Sequence, residues 1–234
     1  MHAGRRLVFH QIPVGEMANY AYLIGDPETR AAVIVDPAWN VDALLRRADA
    51  EELDLAGALV THYHPDHVGG QVFGHRIEGL GELLARRPVP VHVHAVEADG
   101  LRRLTGLSET DLVRHEGGDA LVLGPNIRIR LLHTPGHTPG SQCFLVEQPG
   151  HPPLLVSGDT LFLGGCGRVD LPGGDPEAMY RSLHGVLRRL PDETVVFPGH
   201  AYAEPCGTLG EEKRRNPYLR AADLPSFLRF MGYA

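Results

Sequence analysis

The stretch Thr61-His62-Tyr63-His64-Pro65-Asp66-His67-Val68-Gly69-Gly70 places His62, His64, Asp66 and His67 within a few positions of one another. Imidazole nitrogens and carboxylate oxygens are donors for hard-to-borderline divalent cations. The spacing is not that of a helical zinc site, which sets two histidines four apart around a glutamate. The apolar run at 55–60 reads as a buried strand. If that strand continues, His62 and His64, two apart, leave the backbone on the same side. Pro65 is expected to end the regular structure. Asp66 and His67 would then follow at a turn, with Gly69-Gly70 letting the backbone fold closely under the cluster.

Three later segments repeat a simpler design, a strand with a ligand at its end. In His133-Thr134-Pro135-Gly136-His137-Thr138-Pro139-Gly140-Ser141, two prolines and two glycines fix the loop that carries His137, and His133 reads as structural. Leu154-Leu155-Val156-Ser157-Gly158-Asp159 ends in a carboxylate that, taken alone, would read as a helix cap. Val195-Val196-Phe197-Pro198-Gly199-His200 ends in an imidazole. A sheet edge could gather His62, His64, Asp66, His67, His137, Asp159 and His200 into one cleft. Seven donors are too many for one tetrahedral ion and suit two neighbouring ions that share a carboxylate. A metal-stabilised scaffold protein would need only four closed ligands, so the larger set points to an accessible, reactive site. His92 and His94 alternate as His62 and His64 do, but no aspartate or glycine pair follows, and they read as flanking a strand end.

The elements that must position these residues follow from periodicity. Segments 7–13, 20–25 and 31–36 read as a three-stranded meander, and Asn40 as the N-cap of a helix at 41–50. Segment 72–87 reads as a loop-rich insertion, helical only at 80–87, and its role is left open. Further strands are expected at 89–93, 117–123 and 127–132, and a helix at 97–104. In 176–190, Met179, Leu183, Val186, Leu187 and Leu190 recur at helical spacing and read as a core face. Strand-and-ligand units in both halves suggest two similar halves packed together.

Composition sets the limits. The 234 residues are 43% hydrophobic, enough for a substantial core, and 28 glycines with 19 prolines suit short strands joined by turns. Lys and Arg number 22 against 29 acids, a net charge of −7, which argues against a nucleic-acid surface. Cys143, Cys166 and Cys206 are no disulfide framework and fit a reducing cytoplasm. No secretory signal or membrane-spanning run is read from the sequence.

The order of these motifs, from about residue 20 to 219, resembles the metallo-β-lactamase superfamily, and within it the glyoxalase II and persulfide dioxygenase branch. The resemblance implies an α+β fold, the αβ/βα sandwich of two mixed sheets with helices on the outer faces. It further implies one such domain over 1–234 with a short C-terminal extension from about 211. It assigns His62, His64 and His137 to a first ion, Asp66, His67 and His200 to a second, and Asp159 to a bridge, with Asp66 also catalytic. Arg168, in Gly165-Cys166-Gly167-Arg168, and Tyr202 match substrate contacts to glutathione. Asp170 stands where thioester hydrolases commonly have tyrosine, so Arg168-Val169-Asp170 is closer to the arginine-x-aspartate pattern of persulfide dioxygenases. Glyoxalase II also has a longer helical region after the segment matching Leu219.

The implied function is a metallohydrolase that cleaves a thioester, such as a glutathione thioester, with a hydroxide held by two divalent ions: zinc, with iron or manganese as alternatives. The competing implication is a mononuclear iron(II) enzyme oxidising glutathione persulfide, with His62, His137 and Asp159 as its facial ligands. In either case the partner is a small thiol-derived molecule, not nucleic acid or membrane, and a homodimer stays open.

Overall fold

The computed structural model describes residues 6–72 and 74–233. Strands β1 (Val8–Val14), β2 (Asn19–Gly25) and β3 (Ala31–Val35) form the expected meander. Helix α1 (Val41–Ala50) follows, capped by the Asn40 side chain, which accepts from the Ala43 N–H. Its buried face is Val41, Leu44, Leu45 and Ala48. The first half continues through β4 (Asp54–Leu59), α2 (Pro65–Val68), β5 (Gly70–Val72), β6 (His75–Ile77), α3 (Leu80–Arg86), β7 (Val91–His94), α4 (Ala95–Thr105) and β8 (Leu112–His115). The second half begins with β9 (Ala120–Leu123), β10 (Ile127–His133), β11 (Gln142–Glu147), β12 (Leu154–Gly158), β13 (Leu161–Phe162) and β14 (Gly165–Cys166). It ends with α5 (Pro176–Arg181), β15 (Val195–Pro198), β16 (Gly207–Thr208), α6 (Leu209–Arg215), α7 (Pro217–Arg220) and α8 (Leu224–Phe230).

Among the described residues twelve strands form two six-stranded sheets, ordered β1-β2-β3-β4-β7-β8 and β16-β15-β12-β11-β10-β9. Each contains an antiparallel meander, β1-β2-β3 or β10-β11-β12, joined to a parallel fourth strand, β4 or β15. Alternation along the strands builds the layers. Tyr22, Ile24, Val33 and Val35 of the first sheet meet Ile129, Leu131, Phe144 and Val156 of the second in an inter-sheet core. Their neighbours Ala21, Leu23, Ala32 and Ile34 face the other way and pack with α1, α3 and α4. Cys143, Leu145 and Leu155 turn outward in the second sheet and pack with Met179, Leu183, Leu209 and Phe227. Each fully buried large aliphatic or Phe side chain contributes roughly 1.5–3 kcal/mol, so the three apolar layers, not the loops, fix how the sheets meet.

Several local readings change. Strand β4 stops at Leu59, so His62 and His64 lie beyond it instead of on a continuing strand. Pro65 starts α2 instead of ending regular structure, because a proline at the first helical turn forfeits no helical hydrogen bond. Asp66 and His67 therefore lie on a short helix, not at a turn. Segment 72–87 is more ordered than a loop: β5 and β6 pair as a hairpin and α3 follows. Gly69, at φ +90°, does permit a close approach, but to the segment before α3, where a Cβ would lie 2.7 Å from the Gly79 Cα. After α5 the helix expected to continue to 190 widens into a π turn over Ser182–Val186 and tightens to 3-10 over Leu187–Arg189. Met179, Leu183 and Leu187 nevertheless keep one buried face.

Candidate metal centre

The candidate ligands come from both sheets at the same end of the sandwich. His62, His64, Asp66 and His67 follow β4; His137 follows β10, Asp159 follows β12 and His200 follows β15. The sheets are tied here by backbone contacts. Gln142 N–H donates to the Thr61 carbonyl at 2.9 Å, Tyr20 N–H to Gly199 at 2.8 Å, and Ala201 N–H to Ala18 at 2.7 Å. Gly199 must be glycine for a steric reason, since a Cβ there would sit 2.4 Å from Asp159 Oδ1.

The donor atoms converge. His64 Nδ1 is 3.1 Å from His62 Nε2 and 3.0 Å from His137 Nε2. On the other side, Asp66 Oδ2 is 3.4 Å from both His67 Nε2 and His200 Nε2, and those two nitrogens are 3.3 Å apart. Asp159 lies between the triads: Oδ2 is 3.5 Å from His137 Nε2 and 3.4 Å from His200 Nε2, and Oδ1 is 3.4 Å from His67 Nε2. A tetrahedral ion with bonds of 2.0–2.1 Å keeps its donors about 3.3 Å apart. The spacing within both triads therefore fits divalent cations, and Asp159 is placed to be shared.

The outer nitrogens are committed elsewhere. His137 Nδ1–H donates to the Arg168 carbonyl at 2.8 Å and His200 Nδ1–H to the Met17 carbonyl at 2.9 Å. His67 Nδ1 meets Asp36 Oδ2 at 3.0 Å. The Thr61 hydroxyl donates to the same Asp36 oxygen at 2.6 Å and lies 3.0 Å from His62 Nδ1. Such outer-shell partners fix ring orientation and leave the inner lone pair for a metal.

Electrostatics give the triads different character. Burial and the surrounding imidazoles lower His62 far below the usual range, and burial with His137 and His67 brings His64 to about 4. These rings are neutral at pH 7, with lone pairs available. Burial also opposes a charge on His67, but Asp66, Asp159 and Asp36 overcome it and hold that ring at about 10. Burial alone would raise Asp159; His67, His200 and His137 instead keep it well below the usual carboxylate range. Asp159 Oδ1 is buried with no hydrogen-bond partner among the described residues, a lone pair that a cation would satisfy.

The other sequence candidates lie around this cluster or apart from it. Arg168 Nε and Nη2 donate to the two Asp170 oxygens at 2.7 and 2.8 Å, an exposed bidentate pair. Tyr202 is 64% exposed and stacks on the His200 ring, with centroids 4.7 Å apart and planes within 8°. His133 donates to or accepts from no ligand named above: its Nε2–H donates to the Pro139 carbonyl at 3.0 Å and its ring stacks on His94. His92 meets His115 at 2.9 Å, away from the converging donors.

Sequence reading missed four polar side chains. Asp36, Asn19 and Glu97 are buried, and Trp39 reaches the cluster with its indole. Glu97 accepts from Tyr63 N–H at 2.9 Å and Gly140 N–H at 2.7 Å, joining the two ligand loops. Asp36 did carry a signal, because Ala-Val-Ile-Val-Asp36 repeats the strand-then-carboxylate design of Asp159. Asn19, Trp39 and Glu97 had no comparable signal.

Two apolar sheets with helices outside and a His/Asp cluster at one end define a class. A family model for the metallo-β-lactamase superfamily matches residues 14–200, and the chain belongs to that superfamily. Hydroxyacylglutathione hydrolase GloC of Haemophilus influenzae is 34% identical over 219 residues, 90% of this chain and 97% of that protein. The structure of ETHE1 from Myxococcus xanthus is similar at TM-score 0.79 and 32% identity, covering 96% of this chain and 90% of that one. TTHA1623, solved in a di-iron-bound form, is similar at TM-score 0.70 and 34% identity, covering 90% of this chain and all of that one. Within the superfamily these relatives support the glyoxalase II and persulfide dioxygenase-like branch.

Proposed function

We propose that the chain is a metal-dependent hydrolase of glutathione thioesters. The observation that carries this reading is the complete seven-donor set, two triads with 3.0–3.4 Å spacing and Asp159 between them. Two divalent ions, held by His62, His64 and His137 and by Asp66, His67 and His200 with Asp159 shared, would supply an acidified water and Lewis-acid polarisation of the acyl carbonyl.

The chain's own residues supply position and proton handling. Asn19 and the imidazoles engage Asp66 Oδ2, which leaves Oδ1 to orient the attacking water and accept its proton. Burial, Asp159 and Asp66 all raise Tyr202, so its phenol stays protonated and serves as a donor to the glutathione moiety. Arg168 is the anchor for a glutathione carboxylate, which must compete with Asp170 for the guanidinium. GloC carries the name of a hydroxyacylglutathione hydrolase over nearly the same length.

The Arg168–Asp170 pair also supports a second reading, an iron persulfide dioxygenase using His62, His137 and Asp159, and the likeness to ETHE1 agrees with it. The deciding test supplies zinc-loaded protein with a hydroxyacyl-glutathione and iron-loaded protein with glutathione persulfide, following thiol release and oxygen uptake. Thiol release without uptake is the expected result. Rapid uptake without thioester cleavage would replace the hydrolase with the dioxygenase.

A further inference from the structure

The second triad has a fourth neighbour. Asn19, 2% exposed, directs Nδ2 at Asp66 Oδ2 over 2.9 Å, and the same atom is 3.4 Å from His67 Nε2 and 3.5 Å from His200 Nε2. The two distances to the imidazole nitrogens match the 3.3–3.4 Å that the three donors keep among themselves. An amide can turn either end toward such a cluster, and the choice matters: its oxygen would coordinate a cation, whereas its N–H cannot.

Trp39 makes the choice. Its Nε1–H is shared between Asn19 Oδ1 at 3.1 Å and the Asp66 carbonyl at 3.0 Å. The indole thus holds the amide oxygen away from the triad and fixes the backbone of a triad residue. The indole is itself held. Trp39 sits at φ +69°, donates its backbone N–H to the Glu78 carbonyl at 2.8 Å, and packs against Gly15 so closely that a Cβ there would lie 2.1 Å from its ring. Among the described residues nothing comparable faces the first triad, whose outer contacts are Thr61 and the Arg168 carbonyl.

We propose that Trp39 and Asn19 form a lock that makes Asp66, His67 and His200 the weaker of the two cation sites, so that the chain separates one-ion from two-ion states. The lock rests on the two-triad reading and deepens it, because ion number is what divides the hydrolase from the dioxygenase. Neither residue is a ligand; both are positioning residues acting on the triad's donor set. An N–H competes with the cation for Asp66 Oδ2, and freeing the amide lets its oxygen turn inward.

The test is a zinc titration of the metal-free full chain against a competing chelator, with bound metal counted directly. Trp39 is the chain's only tryptophan, so its emission adds a local readout. Wild-type protein is expected to fill in two steps, with emission following the second. Trp39→Phe, which frees the amide to turn its oxygen inward, should tighten the second step about tenfold, the size of one competing hydrogen bond removed, and leave the first unchanged. Asn19→Asp, which keeps the size and puts an anionic oxygen in place of the N–H, should tighten it further and guards against misfolding in the indole variant. A second step that appears only in these variants carries the same meaning. Two steps whose separation ignores both substitutions, while His200→Ala removes the second, overturn the lock alone. A single step in every variant, untouched by His200→Ala, overturns the two-triad reading together with the lock.

Discussion

The pairs His62-x-His64 and His92-x-His94 share a spacing and are associated with adjacent parallel strands, β4 and β7, which pair through Leu59 and His92. Their surroundings separate them. Around the first pair, inner nitrogens of three histidines from two loops face one another at 3.0–3.1 Å, while outer nitrogens such as those of His62 and His137 are occupied by Thr61 and the Arg168 carbonyl. In the second, His94 Nδ1 accepts from Val96 N–H at the start of α4, and its ring lies 3.9 Å from that of His133 in a stack. His92 meets His115, which in turn meets Asp119 at 3.0 Å. That chain of contacts runs outward and never closes around a point. A histidine pair becomes a metal site when other elements bring donors and a carboxylate to the same point; otherwise it packs and caps.

The largest test of this contrast is Asp159→Ala. Removing the shared carboxylate should cut metal affinity and activity together by more than about a hundredfold, beyond the range of outer-shell partners. Metal content and thioester turnover measure it, and a folded variant that keeps two tightly held ions would refute the bridging assignment. Next, Asp36→Asn weakens the partner of His67 and should lower affinity about 10–100-fold in chelator competition. The matching change in the other cluster, Asp119→Asn, should leave metal content unaltered. If both changes act alike, the contrast between the clusters collapses.

A smaller effect is expected at Glu97, which lies one turn beyond His94 and ties Tyr63 to Gly140. Glu97→Ala orphans two backbone N–H groups and should cost on the order of 1–3 kcal/mol for each that stays dry. Urea unfolding of the metal-loaded protein reads this; an unchanged midpoint would mean that the ligand loops hold their own positions.

The smallest effect is the pH response of the second cluster. Burial, then His115 for His92 and His133 for His94, lowers both rings to about 4. The unfolded chain takes up these protons near the ordinary value of about 6.5 and the native chain resists them. Their contribution is therefore complete above the unfolded value and is lost as pH falls from there toward 4. Unfolding curves between pH 7.5 and 4.5 should show a shallower acid loss in a His92→Gln, His94→Asn double variant than in wild type. An identical slope would remove these rings from the acid response.

Sequence by itself determined the types of the candidate donors and the strands that carry them. His137, Asp159 and His200 follow apolar runs whose strand character is local, and the cap at Asn40 is a contact between near neighbours. It also determined the layers, because period-two alternation sends Tyr22 and Ile24 to one face and Ala21 and Leu23 to the other. Tertiary structure alone decided which histidines meet. Asp66, His67 and His200 converge across 133 or more positions, a closeness fixed only when the two sheets stack. The same holds for Trp39, Asn19 and Glu97, whose partners lie 20 to 181 positions away. A spacing motif records neighbours along the chain, whereas a cation responds to distances in space, and only packing converts one into the other.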